Sequence, residues 1–159
     1  FVRERHGARC IPMQESLRKI IQFGRTGKPV VVGYISDQTP FWWNIHHWIK
    51  FLNQETPVLT GAERIVKHTR QVFVYGDVTR TRRGHYNCEF HIIRKETKDL
   101  PEYEITDLYF QELEKSIRRQ PEIYLWSHNR WKRTRARFNE YFEEVDGKVH
   151  LRKGKEMIY

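Results

Sequence analysis

Cysteine is scarce in this chain. Cys10 and Cys88 are the only two in 159 residues, which excludes a disulfide-framed fold and suits reduced thiols in a cytoplasmic setting. No run of about 18 apolar residues occurs, so no stretch reads as a membrane-spanning helix. No positively charged, then apolar, then small-residue order opens the sequence, so no secretory leader is visible. An initiator Met is also missing. Phe1–Cys10 (FVRERHGARC) reads like the middle of a longer protein, and a fragment or processed form is expected. Internal repeats and low-complexity tracts are absent. No metal set stands out either. His46 and His47 are adjacent and have no Cys or acid at ligand spacing, and His85, Cys88 and His91 would alternate faces of a strand.

What is present is a folded, basic chain. The length suffices for one domain with a real core, and 38% apolar with 14% aromatic residues argues against disorder. The formal net charge is +9 and the sequence pI about 9.7. Such a balance favours anionic partners: nucleic acid, a phospholipid surface, a phosphorylated glycolipid or an acidic carrier protein.

Periodicity outlines the elements. Leu17, Ile20, Ile21 and Phe23 follow helical spacing, ended by Gly24 and Gly27. Val30–Ile35 (VVVGYI) reads as a central strand buried on both faces, with Asp37 and Gln38 just past its end, where open α/β sheets gather ligands. The Trp- and His-rich stretch 39–51 is expected as a surface loop or short helix. Its tryptophans suit either a core or a membrane headgroup region. A helix is expected from Thr60 to about His68. Gln71–Thr79 and His85–Arg94 form an expected antiparallel hairpin with Arg80, Arg82 and Arg83 at its tip. Thr106–Gln120 is the clearest helix, with Thr106 as its cap. The sequence FNEYFEEVDG adds a possible helix, and VHLRKGKEMIY reads as a poorly tied tail.

The most informative block is Ile117–Arg135, IRRQPEIYLWSHNRWKRTR. Tyr124, Leu125, Trp126 and Trp131 are packed around His128, Arg130, Lys132, Arg133 and Arg135. Aromatic side chains that bury themselves, alternating with guanidinium groups that do not, predict a basic rim for a phosphate or carboxylate. The block resembles the C-terminal signature of the bacterial lipid A biosynthesis acyltransferases, the late lauroyl/myristoyl transferases. That pattern runs close to I-R-x-x-P-E-x-Y-L-W-x-H-x-R-[FW]-K-x-R. Ile117, Arg118, Pro121, Glu122, Tyr124, Leu125, Trp126, His128, Arg130, Trp131 and Lys132 fall in step with it. Asn129 stands where a second Arg is common, and Arg133 where Thr is common. Looser similarity reaches upstream through the Val30–Gln38 segment, Phe51–Thr56, the TGAERI helix start and Tyr86.

The resemblance implies an α/β fold, a mixed β-sheet flanked by helices and glycerolipid-acyltransferase-like, with its N-terminal part missing. Residues 1–137 would be the C-terminal part of one acyltransferase domain and 138–159 an extension. It implies transfer of a fatty acyl group from acyl carrier protein or acyl-coenzyme A to a phosphorylated, Kdo-bearing lipid A precursor. The setting would be the cytoplasmic face of the bacterial inner membrane, with no cofactor. Asp37, Gln38, Arg64, His128, Arg130, Lys132 and Arg133 are the expected substrate-binding residues, with Asp37 in a supporting catalytic role. Each has a plainer reading: a turn aspartate, a solvated helix start, or pairing with Glu122 or Glu112. The family's His-x4-acid motif, whose His acts as general base, is not found. His91 and Glu96 have the spacing but sit on an expected strand, where residues five apart face opposite ways. The chain alone is therefore expected to be inactive. Two other classes remain open: a nucleic-acid-binding module that interleaves basic and aromatic residues, which lacks any RNA-binding signature, and an inert remnant of a broken gene.

Overall fold

A computed structural model describes residues 4–158, in two units divided between Tyr34 and Ile35. Phe1, where the truncated start is expected, lies outside the described residues. The first unit holds a 3-10 turn at Met13–Glu15 running into helix α1, Ser16–Gly24, whose one buried residue is Ile20. The expected strand at Val30–Ile35 is not formed. Val31 is 98% exposed, and Val30 and Ile35 are about half exposed. An all-apolar run is buried on both faces only where neighbouring strands flank it. Every strand among the described residues already pairs within its own hairpin.

The second unit is α/β, built from helices and three separate two-stranded antiparallel sheets. A 3-10 turn at Trp42–Asn44 leads into β1, His47–Phe51, which pairs with β2, Gln54–Val58. The stretch expected as a loop or helix is thus half of a hairpin. Its turn residues Leu52 and Asn53 both have positive φ (49° and 66°), as a tight two-residue turn requires. The Leu52 N–H donates to Glu114 Oε2 at 3.1 Å, which helps hold this unusual leucine conformation.

Helix α2, Gly61–Thr69, lies within a residue of its expected place. The hairpin of β3, Phe73–Arg82, and β4, His85–Arg94, also forms where expected, but β3 runs on through Arg80 and Arg82, which leaves Arg83-Gly84 as the turn. Helix α3, Glu104–Arg119, begins two residues early, and Thr106 is not its cap. Instead the buried Glu63 of α2 accepts from the Thr106 N–H at 2.9 Å and from its hydroxyl at 2.7 Å. A carboxylate from a neighbouring helix therefore satisfies an orphan donor in the first turn. After a 3-10 turn at Pro121–Ile123 come α4, Arg135–Tyr141, then β5, Phe142–Val145, and β6, Lys148–Leu151. The presumed loose tail is thereby tied down. β6 pairs with β5 through an Asp146-Gly147 turn, both residues at positive φ, and the Arg152 N–H donates to the Tyr141 carbonyl at 2.8 Å.

Two apolar clusters organise this unit. Trp42, Ile45, Phe138 and Phe142 form one, so residues from the expected extension 138–159 contribute to a core. Phe51, Val58, Phe110 and Ile117 form the other, with Trp131 and Tyr124 packed against it. The β3–β4 ribbon joins α3 through a polar network. Arg119 donates twice to Asp77, at 2.7 and 2.9 Å. Ser116 donates to Asp77 at 2.8 Å, and Tyr75 lies 3.0 Å from Ser116 Oγ.

The Arg119 hydrogen bonds hold the Asp77 carboxyl below its usual pKa, against the opposing effect of burial. A carboxyl with a lowered folded pKa contributes stability that is fully present above its unfolded value of about 3.9 and lost as pH falls through the folded value. Urea unfolding should therefore show Asp77→Asn less stable than wild type at neutral pH. The gap should narrow as pH falls below about 4. A gap that stays constant to low pH would contradict this.

Candidate functional site

The expected rim does not project into solvent. Arg130 is 1% exposed and Arg133 6%. Both guanidiniums lie over aromatic rings. Arg130 sits 5.4 Å from the Phe51 centroid and 5.0 Å from Phe110, while Arg133 sits 5.5 Å from Phe41 and 5.4 Å from Trp42. The premise that these groups stay out of the core is corrected for a physical reason. A guanidinium is flat and weakly hydrated, so it can lie against aromatic rings where an ammonium would not. Lys132 and Arg135 stay exposed, and Arg135 contacts Glu55 at 3.4 Å.

Arg130 closes a clamp between two segments distant in sequence. Its Nη1 donates to the Asp37 carbonyl. The Thr39 hydroxyl donates to the Arg130 carbonyl at 2.6 Å, and the Thr39 N–H donates to His128 Nε2 at 3.1 Å. That last bond makes Nε2 an acceptor and places the imidazole proton on Nδ1. Asp37, His128 and Arg130 are therefore brought together, although no strand end presents Asp37. Gln38 is exposed beside them, and Arg64 is exposed near the start of α2, in electrostatic reach of Tyr103. No hydrogen bond or ion pair among the described residues links Arg64 to the clamp.

Burial pulls the Arg130 pKa down, while the charges of Tyr124, Asp37 and Tyr109 oppose that shift. Burial pushes the Tyr109 hydroxyl up, and the charge of Asp37 adds to the effect. Tyr124 is raised by burial as well. Arg130 Nε and Nη2 are buried and have no hydrogen-bond partner among the described residues. Trp131 closes the floor by donating to Thr56 at 2.9 Å. Trp126, also expected in the core, is about half exposed and bonds the Pro121 carbonyl at 2.7 Å.

The rings that hold Arg130 also line a cleft of about 320 Å³ between β1 and α3. Phe51, Phe110 and Ile49 give it an apolar wall, and His47, Lys50, Asp107, Gln111 and Glu114 a polar rim. There His47 Nε2 meets Asp107 Oδ1 at 2.7 Å, with Tyr103 stacked on the imidazole at 4.3 Å. The two adjacent histidines diverge, because His46 bonds Glu144 at 2.8 Å. His47–Asp107 was not foreseen. Sixty positions separate the two, and the clue lay in β1 being a strand that aims His47 at the first turn of α3. Glu63 was overlooked as well, beside the more conspicuous Arg64. The rejected His91–Glu96 spacing stays apart: His91 instead approaches Glu89, at 4.0 Å. Among the described residues, no group of three or more His, Cys, Asp or Glu is placed to hold a metal. No helix there is long and apolar enough to cross a membrane.

Stacking on two rings returns about 0.5–2 kcal/mol each, less than the several kcal/mol that desolvating a cation costs. Arg130 is therefore better suited to placing Asp37–Thr39 than to stabilising the fold. Arg130→Met should leave global stability within about 1 kcal/mol of wild type, whereas Arg130→Lys, which keeps the charge without the flat face, should cost about 2 kcal/mol more. Both should speed amide exchange at Thr39. Lysine restoring both stability and Thr39 protection would contradict the clamp.

No curated protein and no solved structure matches the chain. The family model described as bacterial lipid A biosynthesis acyltransferase matches residues 1–133, from α1 through the whole Arg130–Arg133 block. The chain belongs to the bacterial lipid A biosynthesis acyltransferase family.

Proposed function

We propose that this polypeptide supplies the acceptor-side wall of an acyltransferase. The enzyme moves a fatty acyl group from acyl carrier protein, or from coenzyme A, to a hydroxyl on a phosphorylated lipid A precursor. The setting is the cytoplasmic face of the inner membrane. Family membership supports acyl transfer in lipid A biosynthesis. The observation carrying the acceptor role is the clamp, in which Arg130 fixes Asp37, Gln38 and Thr39 beside His128 and the exposed Lys132.

Within this reading the basic residues divide their work. Arg130, sunk against the Phe51–Phe110 pair, is a positioning residue, and Arg133 is buried against Phe41 and Trp42. Arg130 keeps two donors that an oxyanion or the Asp37 carboxylate could take up. Lys132 and Arg64, both exposed, meet phosphate directly, and Gln38 offers an amide to a sugar hydroxyl. The general base for the acceptor hydroxyl comes from groups other than these, since no His-x4-acid pair converges here. The 159 residues alone then transfer no acyl group. The nucleic-acid reading needs rings displayed beside cations. Within the Arg130–Arg133 block the half-buried Trp131 and the buried Arg130 and Arg133 do not offer that platform.

Affinity for the phosphorylated precursor, measured by calorimetry on the chain, tests this. Lys132→Gln should weaken binding about tenfold, the worth of one charge-assisted hydrogen bond, without moving Tm. Unchanged affinity would contradict the acceptor role. Acylated product above a no-protein blank would contradict the placement of the base outside this chain.

A further inference from the structure

Two distant stretches of the second unit meet in the same order along their length. Thr39 contacts His128 and Arg130: its N–H donates to His128 Nε2 at 3.1 Å, and its hydroxyl donates to the Arg130 carbonyl at 2.6 Å. The Arg133 guanidinium lies 5.5 Å from the Phe41 ring and 5.4 Å from Trp42. Phe142 stacks on Trp42, with 5.3 Å between centroids and 16° between planes. His46 Nδ1 meets Glu144 Oε1 at 2.8 Å. Residues 128–144 therefore hold residues 39–46 one side chain after another, although no strand ladder among the described residues joins them.

The family-matched residues end at Arg133, midway along this seam. The remaining half belongs to α4 and the β5–β6 hairpin, which brace each other. The Thr134 hydroxyl accepts from the Arg137 N–H at 3.3 Å and caps α4 directly after Arg133. Past the other end of the helix, Arg152 Nε donates to the Asn139 and Phe142 carbonyls, both at 3.0 Å. A basic side chain thus meets acceptors that the last helical turn leaves open. Lys155 pairs with Glu140 at 3.0 Å, and its ammonium lies 4.6 Å from the Tyr141 ring centroid.

This braced arm reaches the segment that leads out of the clamp. Trp42 and Ile45 share a buried cluster with Phe138 and Phe142 of the arm. Asp37–Thr39 connects to Trp42 through the buried Pro40, whose fixed φ leaves the link little slack. Arg130 holds one end of this segment, through the Asp37 carbonyl, and the arm holds the other.

We propose that Phe142 and Glu144 are positioning residues for the acceptor site: by fixing Trp42 and His46 they keep Asp37, Gln38 and Thr39 in place against His128 and Arg130. The proposal rests on the reading above that Asp37–Thr39 serves the acceptor. Phe142 is 2% exposed, so its effect on a ligand can only be transmitted.

Hydrogen exchange of the full chain tests it, together with calorimetry against the phosphorylated lipid A precursor. The amides of Thr39, Asn44 and Ile45 donate to His128, Phe41 and Trp42, and so report on the segment. Phe142→Leu should speed their exchange about tenfold, while amides of Phe110 in α3 and Tyr75 in β3 stay near wild type. Precursor affinity should fall about threefold, the scale on which residues without ligand contact act on binding. Glu144→Ala should speed exchange at Asn44 and Ile45 about threefold, and Glu144→Gln, whose amide still bonds His46, should not. Glu143→Ala, one position away on β5, loses its Arg152 contact and should leave the segment unchanged. If Phe142→Leu proves unfolded by circular dichroism, the Glu144 variants carry the test. Equal acceleration at Phe110 and Thr39 would show only a weaker fold and overturn the positioning role. Unchanged exchange at Asn44 and Ile45 in Glu144→Ala would overturn it too. So would local acceleration in Phe142→Leu without loss of affinity; if Lys132→Gln also bound as wild type, the acceptor reading would fall with it.

Discussion

A guanidinium resting against an edge-to-face pair of phenyl rings organises the second unit. Arg130 enters from a segment with no regular structure, lies against Phe51 of β1 and Phe110 of α3, and reaches the backbone at Asp37. Three parts of the sequence meet at one buried cation. Because desolvation offsets most of what stacking returns, the gain is in geometry more than in stability. The same rings wall the β1–α3 cleft, so a shift at Arg130 would be felt there too.

This arrangement changes how the basic composition bears on function. A charge of +9 suggests a cationic surface. Two of the arginines in the most distinctive block instead serve the interior, and direct anion contact falls to neighbours such as Lys132. Other cations are used up in pairs: Arg119 with Asp77, Arg118 with Glu114, and Arg80 with Glu122. Arg82 and Arg83, at the ribbon tip, remain outward.

Local signals in the sequence carried well where a segment makes its own contacts. The amphipathic stripe of α3, the helix start at Gly61 and the β3–β4 hairpin with its Arg-Gly tip were all legible, because each is fixed by near neighbours in sequence. Reading failed where burial depends on a distant partner. VVVGYI has the composition of a central strand, yet among the described residues it has no neighbour to pair with. The β1–β2 hairpin escaped notice because Leu52-Asn53 lacks a glycine at its turn. β5 and β6 were hidden inside an apparent tail, although Asp146-Gly147 is a strong turn signal. Of the site, the grouping of Asp37, His128 and Arg130 came from family resemblance. That Arg130 is buried could not come from alternation, which treats every arginine as solvated. The His47–Asp107 contact depends on packing between β1 and α3, which no local pattern encodes.

The central claim is that Arg130 and its flanking rings act as one unit. A double-mutant cycle on the stability of Arg130→Met and Phe110→Leu isolates that term from the cost of each change alone. A coupling of about 1–2 kcal/mol is predicted for a desolvated cation–ring contact. Additive effects, with no coupling between the two positions, would contradict it.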